Sequence, residues 1–146
     1  MAQYKEINIE TNLTNVNNAT KVSQFYKGVS TVNQTSKTFS LYDTELIKQD
    51  ILNHFNTRKG ERIYNPNFGT SIWSTLYEPL TDDVREQIMA DVTAVIKADP
   101  RVVARDIIIQ EQGYGIQVQV ELEFSAYDKV ETMTLAFDRE NGLLTL

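Results

Sequence analysis

The sequence contains no cysteine and only one histidine, His54. Without cysteine, thiolate zinc sites, cysteine nucleophiles and thiol redox chemistry are excluded. A single histidine also excludes every metal site that needs two histidine ligands. We therefore predict no metal and no cofactor, and these absences narrow the classes of enzyme that the chain could represent.

Long hydrophobic runs are missing as well, since no apolar stretch approaches the roughly 20 residues of a membrane-spanning helix. The first residues lack the basic and then apolar build of a signal peptide. Acidic residues outnumber basic ones by 20 to 14, and the net charge of −6 argues against nucleic acid or an anionic membrane as principal ligand. We expect a soluble protein that is made in a cytoplasm.

Charge and composition separate an N-terminal arm from the body of the chain. Residues 1–40 hold six asparagines and six threonines, and their four lysines and two glutamates give a charge of +2, which leaves −8 for the rest. Within Glu10–Thr20, only Leu13 and Val16 are sizeable apolar groups, too few to offset the entropy of ordering. We predict an extended arm over residues 1–38 that is ordered against a partner, and one domain over 39–146. A frayed terminus is the alternative.

The first half of the body has the apolar spacing of amphipathic helices. Ile47, Ile51 and Phe55 recur every fourth residue between Thr44 and Arg58. Asp43 is placed to cap this helix, and Gly60 follows its expected basic last turn. We expect His54, beside the apolar stripe, to be structural.

A second long helix is predicted between Thr81, a good N-cap, and Pro100. Its first turn carries Asp82 and Asp83, where the helix dipole favours carboxylates. Asp91 is expected to face outward, away from the apolar stripe. A short helix is expected within Ser71–Glu78, before the chain break at Pro79.

After Pro100 the apolar period changes to two, which is typical of strands with one buried face. We predict strands at Val102–Glu111, Ile116–Phe124 and Thr132–Phe137, joined as an antiparallel meander. A turn signal follows at Asn141-Gly142, and Leu143–Leu146 could form either a fourth short strand or an apolar tail. The predicted fold class is α+β, with a helical N-terminal half packed on a C-terminal antiparallel sheet of three or four strands.

The segment Thr57–Gly69 (TRKGERIYNPNFG) is the strongest local cluster. Arg58, Lys59 and Arg62 concentrate positive charge in it, and Ile63, Tyr64 and Phe68 are expected to anchor it. A helix end followed by a pinned loop explains the same pattern without any function.

Catalytic patterns are largely absent, because the chain has neither a P-loop nor a dinucleotide fingerprint nor a Gly-x-Ser-x-Gly elbow. Glycoside hydrolysis needs only two suitably placed carboxylates. The candidates are Glu61, Glu78, Asp82 and Asp83. Since nothing in their spacing marks a tuned pKa, we predict that the protein is not an enzyme.

Four blocks of sequence, in this order and spacing, resemble the GPW-type family of baseplate wedge proteins from contractile phage tails. The blocks are Thr57-Arg58-Lys59-Gly60-Glu61-Arg62, Asn65-Pro66-Asn67-Phe68-Gly69, Glu78-Pro79-Leu80-Thr81 and Asp99-Pro100-Arg101-Val102. The resemblance covers about Phe39 to Phe137. The family has Glu-Pro-Arg where this chain has Asp99-Pro100-Arg101, which shortens the acid by one methylene. The family includes a wedge subunit of T-even phages and a baseplate subunit of type VI secretion systems, and some members carry a lysozyme-like label.

The resemblance implies a structural subunit of the tail baseplate that starts polymerisation of the contractile sheath. The implied partners are other wedge proteins, the tail sheath protein and tail tube or hub proteins. The implied location is the virion tail baseplate, and the host cytoplasm during assembly. Strand addition to a sheet edge supplies a physical mechanism. The edge candidates are Ile107, Ile109, Met133 and Leu135.

The candidate partner-binding residues are Arg58, Lys59, Arg62, Asp99, Pro100 and Arg101. Pro100 fixes the bend between helix and strand, and Arg101 offers a planar fork that binds carboxylates or carbonyls. Asp99 and Arg101 could equally close the turn within the subunit, and both readings stay open here. The alternatives for the whole chain are a peptidoglycan-cleaving muramidase, a free cytoplasmic binding module and a type VI secretion component.

Overall fold

The computed structural model describes residues 26–30 and 40–146, in an α+β arrangement with helices ahead of an antiparallel sheet. The predicted fold class is confirmed at this level. The predicted arm lies outside the described residues except for residues 26–30. In chain order the elements are strands β1 (Lys27–Val29) and β2 (Ser40–Tyr42), helices α1 (Asp43–Asn56), α2 (Ile72–Thr75) and α3 (Asp82–Lys97), and strands β3 (Val102–Gln112), β4 (Gly115–Phe124), β5 (Lys129–Asp138) and β6 (Gly142–Thr145).

Strands β1 and β2 form a small antiparallel sheet of their own, in which Gly28 lies opposite Leu41. Gly28 sits against Leu46 of α1 so closely that a Cβ there would lie 2.3 Å from Leu46 Cδ1. The described part of the predicted arm is therefore attached to the body.

Asp43 does not cap α1 as predicted; the N-cap position is Tyr42, which supplies no side-chain cap. The Asp43 carboxylate instead accepts hydrogen bonds from the Tyr26 backbone N–H at 2.9 Å and from the Tyr127 hydroxyl at 2.6 Å. Asp43 takes a positive φ of 49° in doing so. One carboxylate thus ties residue 26, the start of α1 and the loop between β4 and β5 together.

Helix α1 buries Ile47, Ile51 and Phe55, as its spacing predicts. The helix ends at Asn56, earlier than the predicted Arg58, so the expected basic last turn is wrong. Thr57 is already extended; its N–H donates a hydrogen bond to the His54 carbonyl, and its hydroxyl donates to the Asn53 carbonyl. The chain leaves the helix there because Arg58 pairs with Thr70 in a short parallel bridge.

Helix α3 begins where predicted, with the Thr81 hydroxyl accepting from the Val84 N–H at 3.4 Å. Its buried positions include Ile88, Val92, Val95 and Ile96. Asp91 is also buried, at 7% exposure, so the prediction that it faces solvent is wrong.

The C-terminal sheet has four strands in the sequential order β3-β4-β5-β6, so the fourth strand left open by the sequence is present. Strands β3 and β4 are joined by the two-residue turn 113–114, and a bulge at Arg105 interrupts their register. Leu135 of β5 pairs with Val118 on one side and Thr145 on the other. The prediction that Leu135 lies at an edge is therefore wrong, because β6 covers that half of β5.

The core lies between the helices and one face of this sheet. Strand β4 alternates perfectly, burying Ile116, Val118, Val120, Leu122 and Phe124. Phe137 of β5 makes T-shaped contacts with Phe55 and Trp73 at centroid distances of 5.9 and 5.3 Å, and the Trp73 Nε1–H donates to the Phe55 carbonyl at 2.8 Å. These contacts fix α1 and α2 on the sheet and so position the loop between them.

Candidate protein-binding site

A groove of about 600 Å³ opens between the C-terminal half of α1, the loop 57–69 and the turn that follows α3. Arg62 and Asn65 of the loop face Asp99, Pro100 and Arg101 across it. Four of the six predicted partner-binding residues therefore share one concave surface, although they lie nearly 40 positions apart in sequence. Arg58 and Lys59 do not line this groove.

The loop side of the groove is built on a three-layer stack. The rings of His54 and Phe68 lie parallel, 3.9 Å apart with 10° between their planes, and the Arg62 guanidinium lies 3.7 Å from the Phe68 ring centroid. Such a cation over an aromatic face is attractive. Burial lowers the pKa of His54, and the positive charges of Arg62 and Lys59 lower it further, partly opposed by Asp91. The imidazole is accordingly neutral at pH 7.

The opposite side of the groove is an ion-pair cluster centred on Arg101. Its Nε donates to Asp99 Oδ1 at 2.8 Å and its Nη2 to Asp99 Oδ2 at 2.6 Å, while Nη2 also reaches Asp50 Oδ2 on α1 at 2.7 Å. Burial alone raises the pKa of Asp99, but hydrogen bonds from the Arg101 side chain and backbone outweigh it and hold that pKa below its usual range. The hydrogen bonds to Asp99 raise the pKa of Arg101.

This geometry favours the turn-closing role of Asp99 and Arg101 over direct partner binding. Two carboxylates engage the guanidinium, one within the turn and one from α1. The sequence pattern did not identify Asp50, which lies on the exposed side of its helix and gives no signal of its role. Arg101 therefore shapes the groove by fixing the Pro100 bend against α1.

Lys59 does not line the groove and instead joins a cluster of hydrogen bonds around Asp91, which we call the Asp91 node. Its Nζ lies 2.9 Å from Asp91 Oδ1, and the other carboxylate oxygen accepts from the Thr70 hydroxyl and from the Ser71 N–H at 2.7 Å. Burial raises the pKa of Asp91, but hydrogen bonds from Thr70, Lys59 and Ser71 outweigh it and lower that pKa. The ammonium of Lys59 therefore holds the loop on α3.

The sequence contained a signal for this node that our prediction missed. Asp91 follows Ile88 by three positions and precedes Val95 by four, so it lies on the buried face of α3. A carboxylate on a buried face requires a partner, and the basic loop supplies it.

Arg58 lies on a separate surface, with its Cζ 5.9 Å from the Trp73 ring. Its backbone N–H donates to Glu61 Oε2 at 2.9 Å, so the Glu61 carboxylate closes a turn of the loop. Glu78, Asp82 and Asp83 are exposed and, like Glu61, do not line the groove. Asp82 and Asp83 occupy the first turn of α3, as predicted. Asp50 and Asp99 do line the groove, and both carboxylates are engaged by the Arg101 guanidinium.

The sheet has two edges: β3 on one side, and on the other the short strand β6 together with the part of β5 that β6 does not cover. Strand β3 pairs with β4 along its length, and none of the described residues pairs with its other side. On β5, Leu146 N–H reaches the Thr134 carbonyl at 3.1 Å beyond the end of β6, which leaves the stretch from Lys129 to Met133 open. Glu131 within this stretch pairs with Lys129 and, at 2.9 Å, with Lys48 of α1. Charged groups at an edge discourage strand addition.

Within residues 26–30 and 40–146, no cluster of three or more histidine, aspartate or glutamate side chains could hold a metal ion. No helix in that part of the chain is long and apolar enough to cross a membrane.

Comparison with solved structures gives a match to a protein described as "putative tail lysozyme" from Geobacter sulfurreducens. The TM-score is 0.58 at 17% sequence identity, over 67% of this chain and 93% of that one. This likeness shows a shared fold. No curated protein sequence matches the chain.

The sequence profile described as "Baseplate wedge protein gp25" matches residues 42–129, from the end of β2 to the start of β5. The matched region contains the loop, the groove and the Asp99-Pro100-Arg101 turn. It spans more than half of the chain, and the chain therefore belongs to the family of baseplate wedge protein gp25.

Proposed function

We propose that this protein is a non-enzymatic structural subunit of a contractile-tail baseplate, and that β3 is the edge on which the tail sheath protein adds a strand. Membership of the wedge family supports the baseplate role. The observation that carries the strand-addition mechanism is the eleven-residue strand Val102–Gln112, which pairs on one side only among the described residues. An unpaired edge offers N–H and C=O groups to another chain.

The direction of these groups follows from the hairpin. Gln112 and Gly115 flank a two-residue turn, so they form a hydrogen-bonded pair, and such pairs alternate along antiparallel strands. The N–H groups of Glu111, Ile109 and Ile107 therefore point to the open side. Ile107 and Ile109, both predicted edge residues, fall in the regular stretch beyond the Arg105 bulge.

A local hydrogen bond on the open side of β3 competes with strand addition. The Asp106 carboxylate accepts from the outward Ile107 N–H at 2.9 Å. An incoming strand that pairs with Ile107 replaces this local bond, whereas the N–H groups of Ile109 and Glu111 are approached directly. Together with the bulge, Asp106 limits pairing to strands that match the remaining stretch. Met133 on β5 is the weaker edge candidate, because the open part of β5 is short and charged.

The groove between the loop and the Pro100 turn is the proposed contact with neighbouring wedge proteins. Its lining combines the Arg62 cation and the Asp99–Arg101 cluster with apolar atoms of Ile51, Phe68 and Val95. A partner segment that combines apolar and polar side chains fits this lining. Tail tube or hub proteins remain further proposed neighbours, in the virion baseplate and in the host cytoplasm during assembly. Co-purification with phage tails distinguishes this role from a type VI secretion role.

The strand-addition proposal is tested with Glu111→Pro, which removes an outward N–H and leaves the bonds of β3 to β4 in place. Glu111→Thr is the matched control, because it changes the side chain and keeps the N–H. Baseplates reconstituted with each variant are mixed with sheath protein, and sheathed baseplates are counted by electron microscopy. We expect the proline variant to give few sheaths and the threonine variant to match the wild type. Equal sheath formation by both variants contradicts the proposal.

The muramidase alternative has a direct test in purified cell wall. Glu61 is engaged in a backbone turn, and Glu78 is exposed outside the groove, so we expect no turnover. Turnover that Glu61→Gln or Glu78→Gln abolishes would overturn the non-enzymatic proposal.

A further inference from the structure

The tip of the loop presents two large apolar side chains to solvent. Ile63 is 91% exposed and Tyr64 is 102% exposed, more than any other large apolar residue in the described parts of the chain. The prediction that they anchor the loop is therefore wrong, and Phe68 alone among the three performs that task. Exposed pairs of this size at a protruding position are typical of interaction sites.

The backbone does not require these residues. The Asn65 N–H donates to the Arg62 carbonyl at 3.3 Å, which makes Ile63 and Tyr64 the two central residues of a β-turn. Such positions ordinarily hold glycine, proline, asparagine, aspartate or serine. Isoleucine and tyrosine at both centres violate the local preference, and such violations concentrate at functional sites.

The turn is held in place by the elements beneath it. The Gly60 N–H donates to the Pro66 carbonyl at 2.9 Å, and the Phe68 N–H to the Asn65 carbonyl at 3.1 Å. Arg62, at the first corner of the turn, is stacked on Phe68. A partner that binds Ile63 and Tyr64 therefore pays little of the entropy that ordering a free loop would cost.

Charge indicates the chemistry of that partner. The loop 57–69 contains three basic residues and one acidic residue, a charge of +2, whereas residues 41–146 as a whole carry −8. Of the three cations, Lys59 is paired with Asp91 and Arg58 lies on a separate surface, so the tip is an apolar pair beside the exposed Arg62 guanidinium on an acidic protein. An apolar socket with an acidic rim complements both features.

The tip is also continuous with the groove, since Arg62 and Asn65 are at once the corners of the turn and part of the groove lining. A partner seated in the groove reaches the tip without a gap. This continuity favours a neighbouring protein over a lipid surface, from which the acidic body would be repelled if the lipids were anionic.

We propose that the turn Arg62–Asn65 inserts Ile63 and Tyr64 into an apolar, acid-rimmed socket on a neighbouring baseplate protein. The proposal rests on the proposed baseplate role and adds the residues that supply the apolar part of the contact. Tyrosine is among the residues that carry most binding energy in interfaces, since its ring packs and its hydroxyl finds a partner.

The test uses the double variant Ile63→Ser/Tyr64→Ser, whose positions are exposed and whose melting temperature should equal that of the wild type. The matched control is Met89→Ser/Tyr114→Ser, which removes two exposed apolar side chains that lie outside the loop, the groove lining and strand β3. Fluorescently labelled chain is titrated into baseplates assembled without this subunit, at low and high salt. We expect the loop variant to bind about 30-fold more weakly or worse, and the control to bind as the wild type does. Binding of the wild type should also weaken with salt.

Each other outcome overturns the proposal in a distinct way. If wild type and loop variant bind equally, the tip is not the contact while the baseplate role stands. If the wild type does not bind the incomplete baseplates at all, the baseplate role fails together with the proposal. Wild-type dimers that the loop variant abolishes, measured by sedimentation, identify a second copy as occupant. Flotation with vesicles of phosphatidylethanolamine and phosphatidylglycerol that the variant loses identifies a lipid surface instead.

Discussion

Replacing Asp91 by alanine should destabilise the protein strongly, because this carboxylate fastens both ends of the loop to α3. The change leaves the buried Thr70 hydroxyl and the Ser71 N–H without their acceptor, whereas the half-exposed Lys59 ammonium regains water. A buried donor without a partner costs about 1 to 3 kcal/mol. Because Ser71 is only partly buried, we expect a loss of about 2 to 4 kcal/mol in the free energy of unfolding.

Urea unfolding followed by the fluorescence of the single tryptophan, Trp73, measures this loss. With a slope of about 1.5 kcal/mol/M, a loss of 3 kcal/mol lowers the midpoint by about 2 M. Glu86→Ala, an exposed change on the same helix, is the control and should shift the free energy by less than about 0.5 kcal/mol. If Asp91→Ala unfolds with the midpoint of the control, the node does not hold the loop and the reasoning fails.

Three further outcomes are expected. Arg101→Ala should lower the melting temperature, because it removes every hydrogen bond from the Arg101 side chain to Asp99 and frees Asp50. Unchanged melting with lost wedge binding would instead support direct contact of Arg101 with a partner. The pKa of His54 is lower in the folded state than in the unfolded chain, so the unfolded chain binds protons first as pH falls. The free energy of unfolding should therefore drop between pH 7 and 5. His54→Gln should make the urea midpoint less dependent on pH over that range. Deleting residues 1–25 should preserve the melting temperature, since every described contact of β1 remains, and should weaken binding to baseplates; normal assembly of the truncated chain would show that this segment has no role in it.

Apolar periodicity was sufficient to predict the long elements. The stripe of Ile47, Ile51 and Phe55 and the alternation of β4 each depend on one element burying one face, which is a local property of the sequence. The end of α1 was wrong because it is decided by Thr70, which pairs with Arg58 from the far side of the loop. Local rules for helix ends contain no information about such a partner.

The site was predictable in its composition and less so in its geometry. The motif blocks contain Arg62 and the Asp99-Pro100-Arg101 turn, and the structure brings them to one groove. The partners that decide their roles, Asp50 and Asp91, lie on helices outside those blocks. A charge cluster in sequence therefore indicates candidate residues, whereas the division between binding and structural residues depends on tertiary contacts.

The meander order of the sheet also determines how the protein folds. Its strands join through turns of two, four and three residues, at 113–114, 125–128 and 139–141, so each pairing closes a short loop at little entropic cost. The contact of Phe55 with Phe137, in contrast, closes a loop over most of the body. We expect the sheet to form early and α1 to dock late. Until α1 docks, the apolar face of β4 is uncovered. Substitutions that weaken the docking of α1 should therefore promote aggregation during folding, while the sheet itself still forms.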